Sequence, residues 1–595
     1  MRIFVLFIIL FTQFFFIHSA NADGPLPISA LTDHEPNYKG RELPHGQYVE
    51  VEVKGLKKSQ VMWLNFDWLY EHGYYVPEQG LTPEFERQLL EALAYAVPGP
   101  KDDPALFNDT KKTMHSEAYG GKGLGLNKGS GRASSRGEVQ IKGVGITSMV
   151  GPGQTYDHAH GGASLEEAMR EAEWGEINHR ELPYGSNRVI AILDTGTYTH
   201  WKDGTKEKRA LIIREDPLRP AHLLAESTQK DLPAHLQIFF ASLSKPGENL
   251  SLDEGAMRFY ERIPKQFAAA HAKRLYHGAV NTSNFDLRGK WLDFGTETYL
   301  PSYQPIRVLK HKEAFGDSSQ LYDQLIDPLL KSPLLPMSLK KKLTRTRFDQ
   351  LYEDAITEEM LKLTGAPPEL VKKLISKPEA QEFGKTILRF TRDEFYGPDL
   401  LMDKTIPNEM KKTRLGEIFK SGAQTGSIKS ALTDSNTHID LKEEMEEQYL
   451  TFMKSIHAEA SVEGISKDAL KHYMTHATEI IHRDPSSLMR PNMIEKDIQL
   501  VEEYEHVGNR SLIWNEIDHQ IDSTNRNPYG KSPFEVIIES KPNHLKGTIE
   551  RTVYNAKENK TREEVISIAK AYPVNPAYCD EPLAVLREMI ANQKP

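Results

Sequence analysis

Apolar and polar positions change rhythm twice along the chain. Up to about residue 115, loops alternate with short elements. Val49, Val51 and Val53 alternate with Glu50, Glu52 and Lys54, the period-two pattern of a half-buried strand. In 83–94, Phe85, Leu89, Leu90 and Leu93 fall near one helical face, and Pro83 suits a first turn. From about 116 to 225, glycine-rich turns separate short strands. Val139 and Ile141 alternate with Glu138, Gln140 and Lys142, whereas 189–193 and 210–213 are continuous apolar runs, as expected of buried strands. Residues 163–174 lie between these strands and read as a helix.

The remainder carries helical spacing. Ser338 is read as the cap of a helix with Leu339, Leu343, Phe348, Leu351, Ala355 and Leu363 near one face, ended by Gly365-Ala366-Pro367-Pro368. Asp440 precedes a second stripe of Leu441, Met445, Tyr449, Phe452, Met453 and Ile456. Residues 421–437 are rich in Ser, Thr and Gly and read as a linker or mobile loop. No repeat of fixed period is present.

Composition narrows the class. At 595 residues the chain exceeds a single core, and 39% hydrophobic with 27% charged residues is globular. A net charge of -10 argues against a general nucleic-acid partner, which needs a basic face. Met1-Arg2, the apolar run 3–17 and the small residues Ala20 and Ala22 form a secretory signal with cleavage expected after Ala22, so a secreted or periplasmic location is expected. An uncleaved membrane anchor is the alternative; the run is shorter than the ~18 apolar residues of a span. No later segment reads as a span. The sole cysteine, Cys579, has no thiol to pair with inside the chain and no recognisable histidine partner.

Chemistry concentrates in His277-Gly278-Ala279-Val280-Asn281-Thr282-Ser283-Asn284, followed by Asp293-Phe294-Gly295. A hairpin turning near Arg288-Gly289 would bring the Asn284 amide oxygen and the Asp293 carboxylate together. Magnesium takes oxygen ligands and often only one or two from protein, and an Asn with the Asp of Asp-Phe-Gly is the kinase way of holding metal on ATP.

These motifs resemble the selenoprotein O family, kinase-fold proteins that transfer AMP from ATP to protein hydroxyls. The family's Gly-Asp-Gly-Arg is similar to Gly129-Ser130-Gly131-Arg132, its Leu-Lys-Gly-Ala-Gly to Ile141-Lys142-Gly143-Val144-Gly145, and its helical Arg-Glu to Met169-Arg170-Glu171. Two phosphate-side arginines map to Arg214 and Arg219. The matches run in order over about 116–300. The resemblance implies an α+β, two-lobed, protein-kinase-like fold: signal 1–22, N-terminal extension 23–115, small lobe 116–225, large lobe 226–430 and a helical C-terminal region 431–595. It implies that Gly129, Gly131, Arg132, Lys142, Arg214, Arg219 and Asp293 bind ATP, that Glu171 orients Lys142, and that Asn284 and Asp293 hold Mg2+, with Mn2+ as the alternative. A protein would be the substrate. Oligomeric state is not readable.

Two departures qualify this. The family keeps an Asp, taken as proton acceptor, where Ser283 stands, and losing a positioned base commonly costs ~10²- to 10⁴-fold. The readings left open are a slow enzyme, an ATP-binding pseudokinase that regulates a partner, an enzyme using nearby Asp286 instead, or a kinase-fold transferase of another group such as glutamate. The second departure is His160-Gly161-Gly162, where the family has Asp-Gly-Arg near the nucleotide. Two competing patterns are weaker. Asp194-Thr195-Gly196-Thr197 resembles an aspartic-protease tetrapeptide, but its only companion, Asp293-Phe294-Gly295-Thr296, lacks the small hydroxyl residue. Asp157-His158-Ala159-His160 lacks a third ligand at a telling spacing.

Overall fold

The computed structural model describes residues 25–33, 48–99, 102–118, 129, 131–151, 155–223, 243, 248, 250–304, 306–308, 315–331, 335–394, 400–402, 412–435 and 437–571. The expected signal at 1–22, Ser130 and Cys579 lie outside these residues, as do the side chains of Asp157 and His158.

Strands of the first 215 residues pair into one sheet. They are β1 (Tyr48–Leu56), β2 (Gln60–Leu64), β3 (Tyr95–Ala96), β4 (Phe107–Glu117), β5 (Ala133–Arg136), β6 (Val139–Lys142), β7 (Ala163–Ser164), β8 (Val189–His200) and β9 (Lys206–Glu215). The order is β2-β8-β9-β6-β5-β4-β1-β3, with β7 beside β9, and every pairing is antiparallel. Segments read separately as extension and small lobe therefore share one hydrogen-bonded sheet. The runs 189–193 and 210–213 are buried throughout, as their unbroken apolar character requires.

Helix α1 (Pro83–Leu93) starts at Thr82, whose hydroxyl accepts the Phe85 amide, and buries Phe85, Leu89, Ala92 and Leu93. Helix α2 (Leu165–Glu181) is capped by Ser164 and crosses the sheet; polar as well as apolar residues along it are buried, Glu171, Glu173, Glu176 and Glu181 among them. Helix α3 (Leu252–Ala272) opens with a Ser251–Glu254 capping box. It anchors the larger hydrophobic core of the second half, which extends through the helices Arg345–Lys362, Pro378–Asp393 and Ile439–Val462.

Two sequence expectations are corrected, and the expected helical C-terminal region gains a sheet. No helix runs on from Ser338: a short helix, Met337–Lys340, stops, and Thr344 caps a new one at Arg345, its hydroxyl accepting the Arg347 amide. About half of the 421–437 stretch is helical, as the end of Leu415–Thr425 and as Lys429–Leu432, because Ala423 and Leu432 reach the core. The C-terminal region is helical as far as Ser523, then forms a three-stranded antiparallel sheet from Glu535–Asn543, Thr548–Asn555 and Lys560–Ser567. Alternation of Ile549, Arg551 and Val553 signals that sheet, and the buried Arg551 hides the pattern by pairing with Glu564 at 2.7 Å.

Helices α4 (Arg490–Val507) and α5 (Ser511–Ser523) return to the sheet-bearing half. Leu500, Val501, Tyr504, Ile513, Ile517 and Ile521 pack with Trp63, Leu165, Met169 and Ile192, so the C-terminal helices seal α2 against the sheet. Buried ion pairs pin the contact: Arg170–Asp497 at 2.7 Å, Arg180–Asp522 at 2.9 Å and Arg526–Glu181 at 2.6 Å. Among the described residues, no helix is long and apolar enough to cross a membrane.

Candidate active site

Antiparallel pairing of β6 with β9 puts Gln140 opposite Arg214 and Lys142 opposite Ile212. The alternation read in 138–142 is therefore not core against solvent. Gln140 and Lys142 are almost fully buried, on a strand face that looks into a charged interior. Lys142 reaches three carboxylates: its Nζ lies 2.6 Å from Glu171, 2.7 Å from Asp293 and 2.8 Å from Glu167. Glu167 and Glu171 sit one turn apart on α2, so both project from one helix face. Burial opposes the Lys142 charge, but Asp293, Glu167 and Glu171 override it and raise its pKa above the usual lysine range.

Arginines close the cluster. Arg132 grips Glu167 with a fork of 2.8 and 3.0 Å and also donates to the Gly162 carbonyl at 2.9 Å. Arg214 donates to Glu171 at 3.0 Å and to Gln140 Oε1 at 2.7 and 3.0 Å. Arg219 donates to the Ser283 carbonyl and stands 3.4 Å from Gln140 Oε1. Burial works to raise the Glu167 and Asp293 carboxyls; the cations win, and both are held well below the usual carboxylate range.

Asp293 reaches the cluster from a left-handed backbone, φ 66° and ψ 70°, which a non-glycine residue holds only where its surroundings fix it. The hairpin expected between Asn284 and Asp293 is present: Phe285 bridges Trp291, and the Leu292 amide donates to the Asn284 carbonyl at 3.3 Å. The Asn284 side-chain nitrogen donates to Ala279 at 2.9 Å, which leaves its amide oxygen as the ligand atom. His277 is neutral, since burial lowers its pKa to about 4. Its Nδ1 accepts the Ala279 amide and its Nε2–H donates to Leu292, tying the two ends of the loop. Gly278 is required there: at φ +76° a Cβ would lie 2.7 Å from the Thr296 carbonyl.

Glu167, Glu171 and Asp293 together could in principle take a metal. Lys142 already bridges all three, however, and Asp293 is the carboxylate with an open edge, its side chain 38% exposed. The Asn284 amide oxygen and the Asp293 carboxylate are oxygen donors compatible with a divalent metal.

The other sequence candidates fall as follows. Gly131 takes φ +65°, where a Cβ would lie 2.6 Å from the Val150 amide nitrogen, and its carbonyl accepts the Thr147 amide; the Gly129 carbonyl accepts the Gly151 amide. Ser283 is buried, with its amide on Asn281 Oδ1 at 2.8 Å. Asp286 is fully buried, held by Arg288 at 2.9 Å and accepting the Leu218 amide. Asp194 is engaged by Lys208 at 3.2 Å and by the Tyr504 hydroxyl at 3.0 Å, apart from the Lys142 partnership of Asp293, so the two share no proton. Sequence reasoning missed Glu167, Gln140 and Arg490. Glu167 stands four residues before Glu171 and Gln140 two before Lys142, spacings that place each pair on one face. Arg490 carried no local signal: its side chain donates to the Gly295 carbonyl at 3.0 Å and its amide to Thr298 Oγ1 at 2.9 Å, from almost 200 residues away in sequence.

One buried lysine among three carboxylates, braced by arginines beside an Asn–Asp hairpin, defines a class of site suited to a polyphosphate and its metal. Comparison with known proteins points the same way. The chain is similar to proteins named protein nucleotidyltransferase YdiU: that of Shewanella loihica, 24% identical over 284 residues, 46% of this chain and 55% of the relative; that of Trichodesmium erythraeum, 27% over 235 residues, 35% and 48%; and that of Shewanella oneidensis, 25% over 360 residues, 56% and 69%. The chain spans about half the length of the first two. No protein-family model matches it. The resemblance to selenoprotein O read from the motifs is the one these relatives carry.

Proposed function

We propose that the chain is a kinase-like, magnesium-dependent protein nucleotidyltransferase that moves AMP from ATP to a hydroxyl side chain of a protein substrate. The observation that carries this reading is the convergence of Lys142, Glu171 and Asp293 within 2.7 Å contacts from three separate segments. Lys142 and Arg132 would meet phosphate oxygens. Arg214, whose donors go to Glu171 and Gln140, braces that surface from behind, and Arg219, which donates to the Ser283 carbonyl, stands beside it. Gly129 and Gly131 turn the backbone close to the phosphates. Asn284 and Asp293 would hold the metal, which neutralises charge on the phosphates and orients them. Export through the N-terminal signal is part of the proposal.

ATP labelled at the α- or the γ-phosphate tests it. Label should enter protein from the α position alone and be lost in Asn284→Ala and Asp293→Ala. Entry from the γ position overturns AMP transfer; magnesium-dependent binding without transfer favours the pseudokinase reading, which Ser283 supports.

Arg490 extends the site to the C-terminal region. Arg490→Ala removes a charge-assisted hydrogen bond from the loop that follows Asp293, worth about 1.5–3 kcal/mol. The dissociation constant for the magnesium complex of a nonhydrolysable ATP analogue should rise ~10-fold by calorimetry, with Asp293→Ala as the lower limit. An unchanged constant would show that α4 only packs.

A further inference from the structure

Arg274 follows α3 in a left-handed conformation, φ 58°, three residues before His277. It is 5% exposed, and its Nε, fully buried, has no hydrogen-bond partner. Its guanidinium donates to the Tyr299 hydroxyl and lies 5.2 and 5.5 Å from the rings of Tyr299 and Tyr303. No carboxylate of the described residues forms an ion pair with it. Glu394, the nearby acid, is occupied by the Thr413 hydroxyl at 2.8 Å and the Arg414 amide at 2.9 Å.

Arg274 lines a cavity of about 460 Å³ between Tyr299, the segment 412–420 and the helix Lys467–Ile481. Other charges on its wall are matched: Lys412 by Asp484, Lys420 by Glu479 at 2.8 Å, and Glu417 by Arg414 at 2.6 Å. His482 is neutral, its pKa brought to about 4 by burial, and its Nε2 meets the Leu363 carbonyl at 2.8 Å. Among the described residues, Arg274 is the buried cation of this wall without a direct ion pair, Asp484 and Glu394 acting on it only at longer range. An unpaired buried charge is strongly unfavourable unless something completes it, and a planar guanidinium is completed by a carboxylate or a phosphate.

We propose that this cavity is an oxyanion site, separate from the Lys142 cluster, for a small metabolite bearing a phosphate ester or a carboxylate, with Arg274 as the grip and Lys412 and Lys420 at the mouth. The cavity volume lies within the range of small-molecule sites. It does not depend on the proposed transfer activity.

Calorimetry and thermal denaturation of the full chain with inorganic phosphate, and separately with succinate, test it. Saturable binding with a rise in Tm is expected for at least one of them, and which one binds separates the phosphate from the carboxylate source. In Arg274→Gln that binding should weaken ~10- to 100-fold, the effect of losing a hydrogen bond to a charged group, while the ligand-free Tm is not lowered, because an uncompensated charge has gone. Lys412→Ala with Lys420→Ala, at an exposed and a half-buried position, should weaken it too. Arg132→Ala and Asn284→Ala should leave it intact. Binding of neither anion, binding that survives Arg274→Gln, or binding lost in Arg132→Ala would overturn the proposal.

Discussion

Lys142→Met is expected to lower nucleotide transfer by ~10²- to 10³-fold, the scale of losing one preorganised electrostatic group, and to destabilise the fold at neutral pH. The second effect follows from what the ammonium holds. Glu167, Glu171 and Asp293 place oxygens within 4.8 Å of one another around Nζ. Without the lysine, Arg132 still serves Glu167 and Arg214 still serves Glu171, but Asp293 loses its only ion pair among the described residues. Breaking a buried pair costs ~3–5 kcal/mol; with Asp293 partly exposed, about 2–3 kcal/mol is expected.

The pH dependence fixes the sign. Glu167 and Asp293 have depressed carboxyl pKa values, so their contribution is present above the unfolded carboxyl value of ~4 and is lost as pH falls through the lower folded values. Lys142 has a raised pKa, so its contribution is complete below the unfolded lysine value of ~10.4 and is lost as pH rises through the folded one. The advantage of the natural chain should therefore span about pH 5–10 and vanish in strong acid. Urea denaturation of both proteins at pH 3, 5 and 7 measures it; a deficit that is equal at all three would refute the three-carboxylate account.

That cluster also shows what a sequence carries and what it does not. Lys142 and Glu171 were singled out because the short motifs around them, 141–145 and 169–171, resemble those of the family, and Asn284 with Asp293 because a short hairpin joins them. Each is a local arrangement. Glu167 was legible in principle, from four-residue spacing on α2, yet a helix with buried carboxylates at several positions offers no polar face to read. Gln140 was disguised by the rule that polar strand positions face water, which fails where the strand borders a charged interior. Arg490 and the pairs Arg170–Asp497 and Arg526–Glu181 depend on the chain from α4 onward folding back onto residues roughly 200 to 350 positions earlier. Nothing near those residues announces the partner. The shared sheet of residues 48–215 was likewise split at 115, because β1 and β4 pair only through tertiary closure, Val51 opposite Met114.

Ser283→Asp should raise AMP transfer by ~10²-fold or more while changing nucleotide affinity little, since a positioned base contributes ~10²- to 10⁴-fold. The backbone is already fixed for it. The Ser283 amide is held by Asn281, its carbonyl by Arg219, and Asn284 follows directly. The carboxylate would stand at a buried position, where the neighbouring Arg219 guanidinium would favour its ionised form. Asp286 does not fill the role in the natural chain. Burial opposes its charge, yet Arg288 and Lys290 hold its carboxyl below the usual range, which makes it a poor proton acceptor. Its oxygens are moreover spent on Arg288 and the Leu218 amide. Initial rates of label incorporation from α-labelled ATP should therefore rank Ser283→Asp well above the natural chain. Asp286→Asn should lose stability rather than act on the chemical step. Equal rates in the Ser283 pair, together with a rate abolished in a folded Asp286→Asn, would move the base to Asp286 and make Ser283 a bystander.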